Sequence, residues 1–197
     1  MSSVTNLFLV RHGQTEWNKE HRLQGHKNSP LTQKGKEQAL NTKHALQDYE
    51  IHKAYVSPLQ RAQDTLALII DQQNIDVVIS NNLKEINLGP WEGKTKQETL
   101  LSDPQQYHYF WQEQDKFNLA GAETYQQLQD RVVSELQAIF SKEKGKNILI
   151  VSHWIAIKAA VAYYKSTPLS DLSSLPDPKN GEYTILSEPN TQIKKSG

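Results

Sequence analysis

The segment Leu7-Phe8-Leu9-Val10-Arg11-His12-Gly13-Gln14-Thr15 decides how this chain of 197 residues folds. It places four consecutive apolar residues directly before an arginine, a histidine and a glycine. A short apolar run of this kind is typical of a buried strand, and open α/β sheets bind ligands beyond the carboxyl ends of their strands. The segment therefore predicts a central strand that delivers Arg11 and His12 to a binding crevice.

Other apolar runs predict further strands. Residues 54–57, 77–79 and 148–151 are expected to be short buried strands, and residues 184–186 a last edge strand. Amphipathic stretches between them predict helices, and the one after Ser57-Pro58-Leu59-Gln60 is expected to use Ser57 as its N-cap. Strands that alternate with helices favour an α/β fold, a three-layer α/β/α sandwich with a mostly parallel central sheet.

The chain length is that of one domain, so residues 1–197 are expected to form a single domain. Two stretches fit the alternation of strands and helices poorly. Residues 93–122 are rich in Gln, Tyr and Trp and predict an excursion that covers the sheet, which we call the lid segment. Residues 165–182 contain three prolines and predict a surface loop.

Composition excludes several classes of function. Lys plus Arg and Asp plus Glu number 22 each, so nothing favours nucleic acid or an anionic membrane as partner. The absence of cysteine excludes disulfides, thiolate catalysis and cysteine-ligated zinc. No apolar run approaches the ~20 residues of a membrane span. The N-terminus lacks the basic region of a secretory signal, so a cytoplasmic location is expected.

Two more predicted strands end in residues that suit the same crevice. One runs into Ser57-Pro58-Leu59-Gln60-Arg61, and the other runs into His153. If these strands neighbour the first, two histidines and two arginines meet. Paired guanidinium groups bind a phosphate dianion, and they lower the pKa of a nearby histidine so that its imidazole stays neutral and nucleophilic. The residues predict a site that binds a phosphate group beside a nucleophilic histidine, and residues 83–93 offer an acid for the leaving oxygen.

The sequence resembles the histidine phosphatase superfamily, the phosphoglycerate-mutase-like proteins. Its opening block reads Leu-Val-Arg-His-Gly-Gln-Thr-Glu-Trp-Asn over residues 9–18. Further blocks follow in the family's order, so that the resemblance covers about residues 6–186: residues 23–25 with 30–32 and 35, 57–65, 85–93, 121–124 and 151–153. The chain departs from the family's pattern at Trp154, where glycine is usual, and near Asn28, where aspartate is common.

The resemblance implies a role for each residue of the cluster. His12 attacks phosphorus and becomes a phosphohistidine, while Arg11, Arg61 and His153 hold the phosphoryl group. Glu85 protonates the leaving oxygen and then activates water. The substrate-binding residues are expected to be Arg11, Asn18, Gln24, Arg61, His153 and Trp154. Neither a metal nor a cofactor is implied, and the expected partner is a small phosphorylated metabolite.

Several alternatives stay open on the sequence. Glu92 and Glu98 lie close enough to replace Glu85 as the acid. The enzyme is expected to be a metal-independent phosphomonoesterase, with a phosphoglycerate mutase using the same phosphoenzyme as the alternative. Residues 93–121 supply about 28 residues over the site, which resembles the phosphatase branch. A third alternative is an inactive member that binds phosphorylated ligands, and Trp154 is its only support. The oligomeric state is not predicted.

Overall fold

A six-stranded sheet with helices on both faces forms the centre of the molecule, and the computed structural model describes residues 4–71, 73–188 and 192–195. The strands are β1 (Thr5–Arg11), β2 (Lys53–Val56), β3 (Asp76–Ile79), β4 (Asn147–Ser152), β5 (Tyr183–Glu188) and β6 (Gln192–Lys195). The helices are α1 (Glu16–Lys19), α2 (Gln33–Ala45), α3 (Gln60–Ile70), α4 (Lys96–Ser102), α5 (Pro104–Gln112), α6 (Tyr125–Lys142) and α7 (Trp154–Tyr164). The predicted α/β/α sandwich is confirmed.

The order of the strands in the sheet determines where the candidate site lies. The sheet runs β3-β2-β4-β1-β5-β6, and β3, β2, β4 and β1 are parallel neighbours, while β5 and β6 are antiparallel. The mostly parallel sheet is therefore confirmed. Because β4 lies between β1 and β2, the carboxyl ends of the three chemistry-bearing strands open side by side at one edge of the sheet.

Alternating side chains of β1 supply the core on both faces of the sheet. Leu7 and Leu9 pack with the apolar faces of α6 and α7, and Phe8 and Val10 pack with those of α2 and α3. All four side chains are at most 2% exposed. Full burial of such a side chain stabilises the fold by about 1.5–3 kcal/mol. This packing holds β1 at the centre of the sheet and so fixes where Arg11 and His12 leave it.

Two strand predictions need correction. Residues 77–79 were expected to be buried, but Val77 is 44% and Ile79 is 58% exposed, because β3 is an edge strand. Residues 184–186 were expected at an edge, but they belong to β5, which lies between β1 and β6. A single apolar run does not reveal which strands flank it, so edge and interior positions cannot be separated from it.

The predicted helix start at Ser57 is also wrong in detail. Helix α3 begins at Gln60, and its N-cap residue Leu59 makes no side-chain cap. The hydroxyl of Ser57 instead lies 2.7 Å from Nε2 of His153. Thr124 caps α6 in a reciprocal capping box with Gln127. A tertiary partner has displaced the local cap at Ser57.

The lid segment and the proline-rich loop both contain some helix. The lid segment folds as α4 and α5, followed by a 3₁₀ turn, and its Phe110 and Phe117 pack against Trp91 and Tyr125. The loop 165–182 contains a 3₁₀ segment at Leu169–Ser174. Among the described residues, no helix combines the length and the apolar character needed to cross a membrane.

Candidate active site

The predicted site residues meet in one cleft beyond the carboxyl ends of β1, β2 and β4. The cleft spans about 660 Å³, part of it open to solvent, and its walls include the predicted residues Arg11, His12, Asn18, Gln24, Arg61, Glu85 and Trp154. His153 is fully buried beside it, and the centroid of its ring lies 5.2 Å from that of His12. The strand order thus brings together residues that are up to about 140 positions apart in the chain.

A backbone oxygen determines which nitrogen of the neutral His12 ring carries the proton. Nδ1 lies 2.8 Å from the carbonyl oxygen of Gly13, which can only accept a hydrogen bond, so Nδ1 carries the proton. Nε2 then keeps its lone pair, and it accepts a hydrogen bond of 3.3 Å from Nε of Arg61. An imidazole in this tautomer presents a nucleophilic nitrogen to the cleft.

Burial and nearby positive charge keep Nε2 of His12 unprotonated. Burial is the largest cause that holds the pKa of His12 well below its ordinary value of 6.5, followed by the positive charges of Arg61 and Arg11. Removal from water and nearby positive charge both disfavour the imidazolium form. His12 is therefore neutral at physiological pH.

His153, the residue before α7, is held by Ser57. Its Nε2 lies 2.7 Å from the Ser57 hydroxyl, and its buried Nδ1 has no hydrogen-bond partner in the part of the chain that the structure describes. Ser57 accepts from the N–H of Leu59, so its own proton is available to Nε2 of His153. Burial, Arg61 and His12 hold the pKa of His153 well below 6.5.

Arg61 is fixed by oxygens of the loop that follows α1. Its guanidinium donates to the carbonyls of Lys27 (2.6 Å) and Gly25 (2.8 Å) and to Oδ1 of Asn28 (3.0 Å), and the residue is 1% exposed. Burial lowers the pKa of Arg61 from 12.5 to about 10, so the side chain stays charged at neutral pH. A rigid, buried positive charge of this kind favours an anion beside it.

Arg11 is less completely paired. One of its terminal nitrogens donates to the carbonyl of Pro178 at 2.8 Å, and its buried Nε lacks a partner among residues 4–71, 73–188 and 192–195. Burial lowers the pKa of Arg11 to about 10 as well. Its guanidinium carbon lies 5.6 Å from the centre of the Trp154 ring. The unpaired donor is suited to a phosphoryl oxygen.

Gly13, next to His12, serves helix packing. A Cβ atom at position 13 would overlap the carbonyl oxygen of Gly35 in α2. The N–H of Gly13 donates to the hydroxyl of Thr65 in α3 at 3.0 Å. The two glycines therefore let α2 approach the turn that carries His12.

Among the three candidate acids, the geometry favours Glu85. Its carboxylate lines the cleft and accepts hydrogen bonds from the N–H groups of Ile86 (2.9 Å), Ile155 (3.2 Å) and Ala156 (3.2 Å), the last two in the first turn of α7. Glu92 instead accepts from the backbone of residues 26 and 88, and Glu98 caps α4. Neither of these two carboxylates belongs to the cleft wall.

The remaining predicted residues line the mouth of the cleft. Oδ1 of Asn18 accepts from the N–H of Thr15, and Gln24 is 7% exposed and hydrogen-bonded to Ser29. The indole N–H of Trp154 donates to Asp177 at 3.0 Å, and the Trp154 ring lies 5.6 Å from that of Trp111. Trp154 thus forms a wall of the cleft.

Sequence reasoning missed residues that hold the site from the loop 165–182. Asn180 donates to the carbonyl of His12 at 2.8 Å, and the carbonyl of Pro178 accepts from Arg11. Asn28, noted only as a departure from the family's pattern, is a partner of Arg61. No local pattern signals these roles, because each contact depends on chain segments that are distant in sequence.

The fold and this cluster of two histidines, two arginines and a glutamate are suited to binding a phosphate ester. The chain belongs to the histidine phosphatase superfamily, branch 1, whose sequence model matches residues 7–194. The phosphohistidine mechanism is general to this superfamily. Within residues 4–71, 73–188 and 192–195, no group of three or more His, Asp or Glu side chains is arranged to hold a metal ion.

Relatives include both phosphatases and mutases. A metal-independent phosphoserine phosphatase of Arabidopsis thaliana is 34% identical over 88% of this chain and 74% of its own length. A probable phosphoglycerate mutase GpmB of Shigella dysenteriae is 31% identical over 84% of this chain and 77% of its own. The solved structure of Bacillus stearothermophilus YhfR superposes with a TM-score of 0.93 at 34% identity, covering 98% of this chain and 95% of that one.

The two buried histidines make stability depend on pH. In the unfolded chain they titrate near 6.5, whereas in the folded protein their pKa values lie well below that. Above pH 6.5 both histidines are neutral in the folded and in the unfolded protein, so they do not make the free energy of unfolding depend on pH. As the pH falls below 6.5, the unfolded chain binds two more protons, so the free energy of unfolding decreases by up to about 2.7 kcal/mol per pH unit.

Urea unfolding at several values between about pH 7.5 and about pH 5 measures this slope. In His12→Gln only one buried histidine remains, so we expect roughly half of the wild-type slope. His44→Gln, at an exposed position of α2, is the control and should keep the full slope. Equal slopes for the wild type and His12→Gln would show that His12 does not resist protonation in the folded protein.

Proposed function

We propose that this protein is a metal-independent phosphomonoesterase that hydrolyses small phosphate esters through a phosphohistidine on His12. The observation that supports this most directly is the unprotonated Nε2 of His12, held 3.3 Å from Nε of Arg61 in a cleft that Arg11 and Glu85 also line. A neutral nucleophile, two fixed cations and a carboxyl group are the components that phosphoryl transfer without a metal requires.

In the first step, Nε2 of His12 attacks phosphorus and the bond from phosphorus to the ester oxygen breaks. Protonated Glu85 gives its proton to the departing oxygen, so the alcohol leaves neutral. Arg11 and Arg61 stabilise the charge on the phosphoryl oxygens, and Nδ1 of His153 donates to one of them. The positive charge that the His12 ring gains is stabilised because its Nδ1–H already donates to the carbonyl of Gly13.

In the second step, the Glu85 carboxylate takes a proton from water as the water oxygen attacks phosphorus. The bond between phosphorus and Nε2 breaks, inorganic phosphate forms, and His12 returns to its neutral tautomer. Glu85 ends protonated, ready for the next ester. Asn18, Gln24 and Trp154 lie along the cleft mouth and are proposed to contact the alcohol part of the substrate, a small phosphorylated metabolite.

A phosphoglycerate mutase is the second candidate, favoured by the likeness to the Shigella protein named as a probable one. A mutase must exclude water from the phosphohistidine and return the phosphoryl group to the substrate. The short lid segment, residues 93–122, supports the phosphatase, because two short helices cover less of the cleft than a longer insertion would. An inactive ligand-binding protein is not favoured, since Arg11, His12, Arg61 and Glu85 line the cleft and His153 lies beside it.

A panel of phosphate esters, assayed with excess chelator, tests the proposal. We expect phosphate release that is insensitive to the chelator, and release from a phosphoglycerate that is faster than interconversion of its 2- and 3-isomers. Faster interconversion would identify a mutase instead. Binding of esters without turnover would support the inactive alternative, and dependence of the rate on a divalent metal would contradict the mechanism.

A further inference from the structure

We infer that Arg131, paired with Glu123, is a positioning residue for Glu85 and thereby controls protonation of the leaving oxygen. The inference rests on the proposed function, because it assigns Arg131 a task only if Glu85 is the general acid. Arg131 lies in α6, the side chain is 20% exposed, and it does not line the cleft. Its hydrogen bonds connect it to the backbone around Glu85, while its charge, which a lysine would keep, also helps to lower the pKa of His153.

The segment that carries Glu85 has little regular structure of its own. A 3₁₀ turn ends at Leu83, and residues 84–88 form neither helix nor strand. Arg131 donates to three carbonyl groups in and just before this stretch, those of Asn82 (2.8 Å), Lys84 (2.9 Å) and Glu85 itself (2.9 Å). One rigid guanidinium thus replaces the hydrogen bonds that a helix or sheet would supply.

Glu123 holds the backbone on the C-terminal side of Glu85. Its carboxylate accepts from Nε (2.6 Å) and from a terminal nitrogen (2.8 Å) of Arg131, and it also accepts from the backbone N–H of Asn87 at 3.1 Å. The Arg131–Glu123 ion pair therefore contacts the backbone both before and after Glu85. At 15% exposure of the Glu123 side chain, the pair is largely shielded from water.

The position of the Glu85 backbone affects catalysis because the Glu85 carboxylate is already hydrogen-bonded to another element. The carboxylate accepts from N–H groups at the start of α7, so its place depends on the distance between α7 and the segment that Arg131 holds. Nε2 of His26 also lies 2.9 Å from the Glu85 carbonyl. A proton donor that moves by about 1 Å can lose roughly 10²-fold in rate, so loosening this segment should weaken acid catalysis.

Lysine at position 131 would keep the charge beside Glu123 but could not donate to three carbonyls and a carboxylate from one planar group. Arg131→Lys is therefore the informative variant. We compare kcat/KM, which reports the step that forms the phosphohistidine, for p-nitrophenyl phosphate and for glycerol phosphate. The nitrophenolate leaves without a proton, whereas the alkoxide of glycerol needs one from Glu85.

For Arg131→Lys we expect kcat/KM to fall by ~10–100-fold with glycerol phosphate and by less than about threefold with p-nitrophenyl phosphate. Glu85→Gln should show the same preference more strongly. The double variant should be little worse than Glu85→Gln alone, because residues that act through one group are not additive. Glu135→Gln, which contacts the same segment only through the Asn82 side chain, is the control and should match the wild type.

The outcomes distinguish the inference about Arg131 from the proposed function. Equal losses with both esters in Arg131→Lys, while Glu85→Gln keeps its preference, would overturn the inference and leave the proposed function standing. The absence of any leaving-group preference in Glu85→Gln would remove Glu85 as the acid, and the inference with it. Thermal unfolding of each variant shows whether it is folded at the assay temperature, and the ratio of the two kcat/KM values is independent of the fraction that is active.

Discussion

Replacing His12 with alanine is expected to lower kcat/KM for phosphate esters by ~10³-fold or more, because a covalent step cannot be replaced by binding alone. The variant keeps Arg11, Arg61 and His153, so it should still bind inorganic phosphate. His12 is 3% exposed, and its ring makes a hydrogen bond only to Gly13 and to Arg61 among the described residues. The loss should therefore reflect the missing nucleophile and not a collapsed site.

Brief reaction with a ³²P-labelled ester, followed by acid and by alkali, identifies the intermediate. A phosphohistidine is labile to acid and stable to alkali, so the wild type should show label with this behaviour and His12→Ala should show none. His44→Ala, at an exposed position of α2, is the matched control and should keep full activity. Labelling that persists in His12→Ala would place the nucleophile elsewhere.

Replacing Arg61 with methionine is expected to lower kcat/KM by ~10²–10³-fold, the usual loss for one preorganised donor in a transition-state site. Methionine keeps much of the side-chain volume but removes the charge and the hydrogen bonds to Lys27, Asn28 and Gly25. It also removes the cation that helps to keep His12 unprotonated. The pKa of His12 should therefore rise, and the acidic limb of the pH profile of kcat/KM should move to higher pH.

Stabilisation by inorganic phosphate gives an independent measurement. A ligand at 100 times its Kd stabilises the folded state by about 2.7 kcal/mol, so phosphate should raise the Tm of the wild type measurably. At the same phosphate concentration the Tm of Arg61→Met should scarcely change. Lys36→Met removes an exposed positive charge from α2 and should respond to phosphate like the wild type. An equal response in Arg61→Met would contradict a phosphoryl-binding role for Arg61.

The residues of the candidate site could be selected from the sequence because they stand at the ends of strands. Arg11 is the last residue of β1 and His12 follows it, and His153 directly follows β4. The choice of Glu85 over Glu92 and Glu98 needed the structure, because all three carboxylates lie within 14 positions of one another. Only the packing of α7 against the segment 84–88 shows which of them reaches the cleft.

The expectations from the sequence that the structure corrected share one physical cause. The edge position of β3, the position of β5 inside the sheet, and the hydroxyl of Ser57 bound to His153 all depend on neighbours that are remote in the chain. Local propensity describes what a segment prefers by itself, and tertiary contacts of about 1 kcal/mol are enough to override it.

By itself, the sequence determined the alternation of strands and helices, the polar residues that end three strands, and the neutral balance of charge. These properties depend on hydrophobic periodicity and on residues that are close neighbours in the chain. Only the tertiary structure decided that β4 lies between β1 and β2, that Asn180 and Pro178 hold His12 and Arg11, and that Arg131 contacts the backbone of Glu85. Such contacts form when distant segments pack around one core, and no local pattern records which segments will meet.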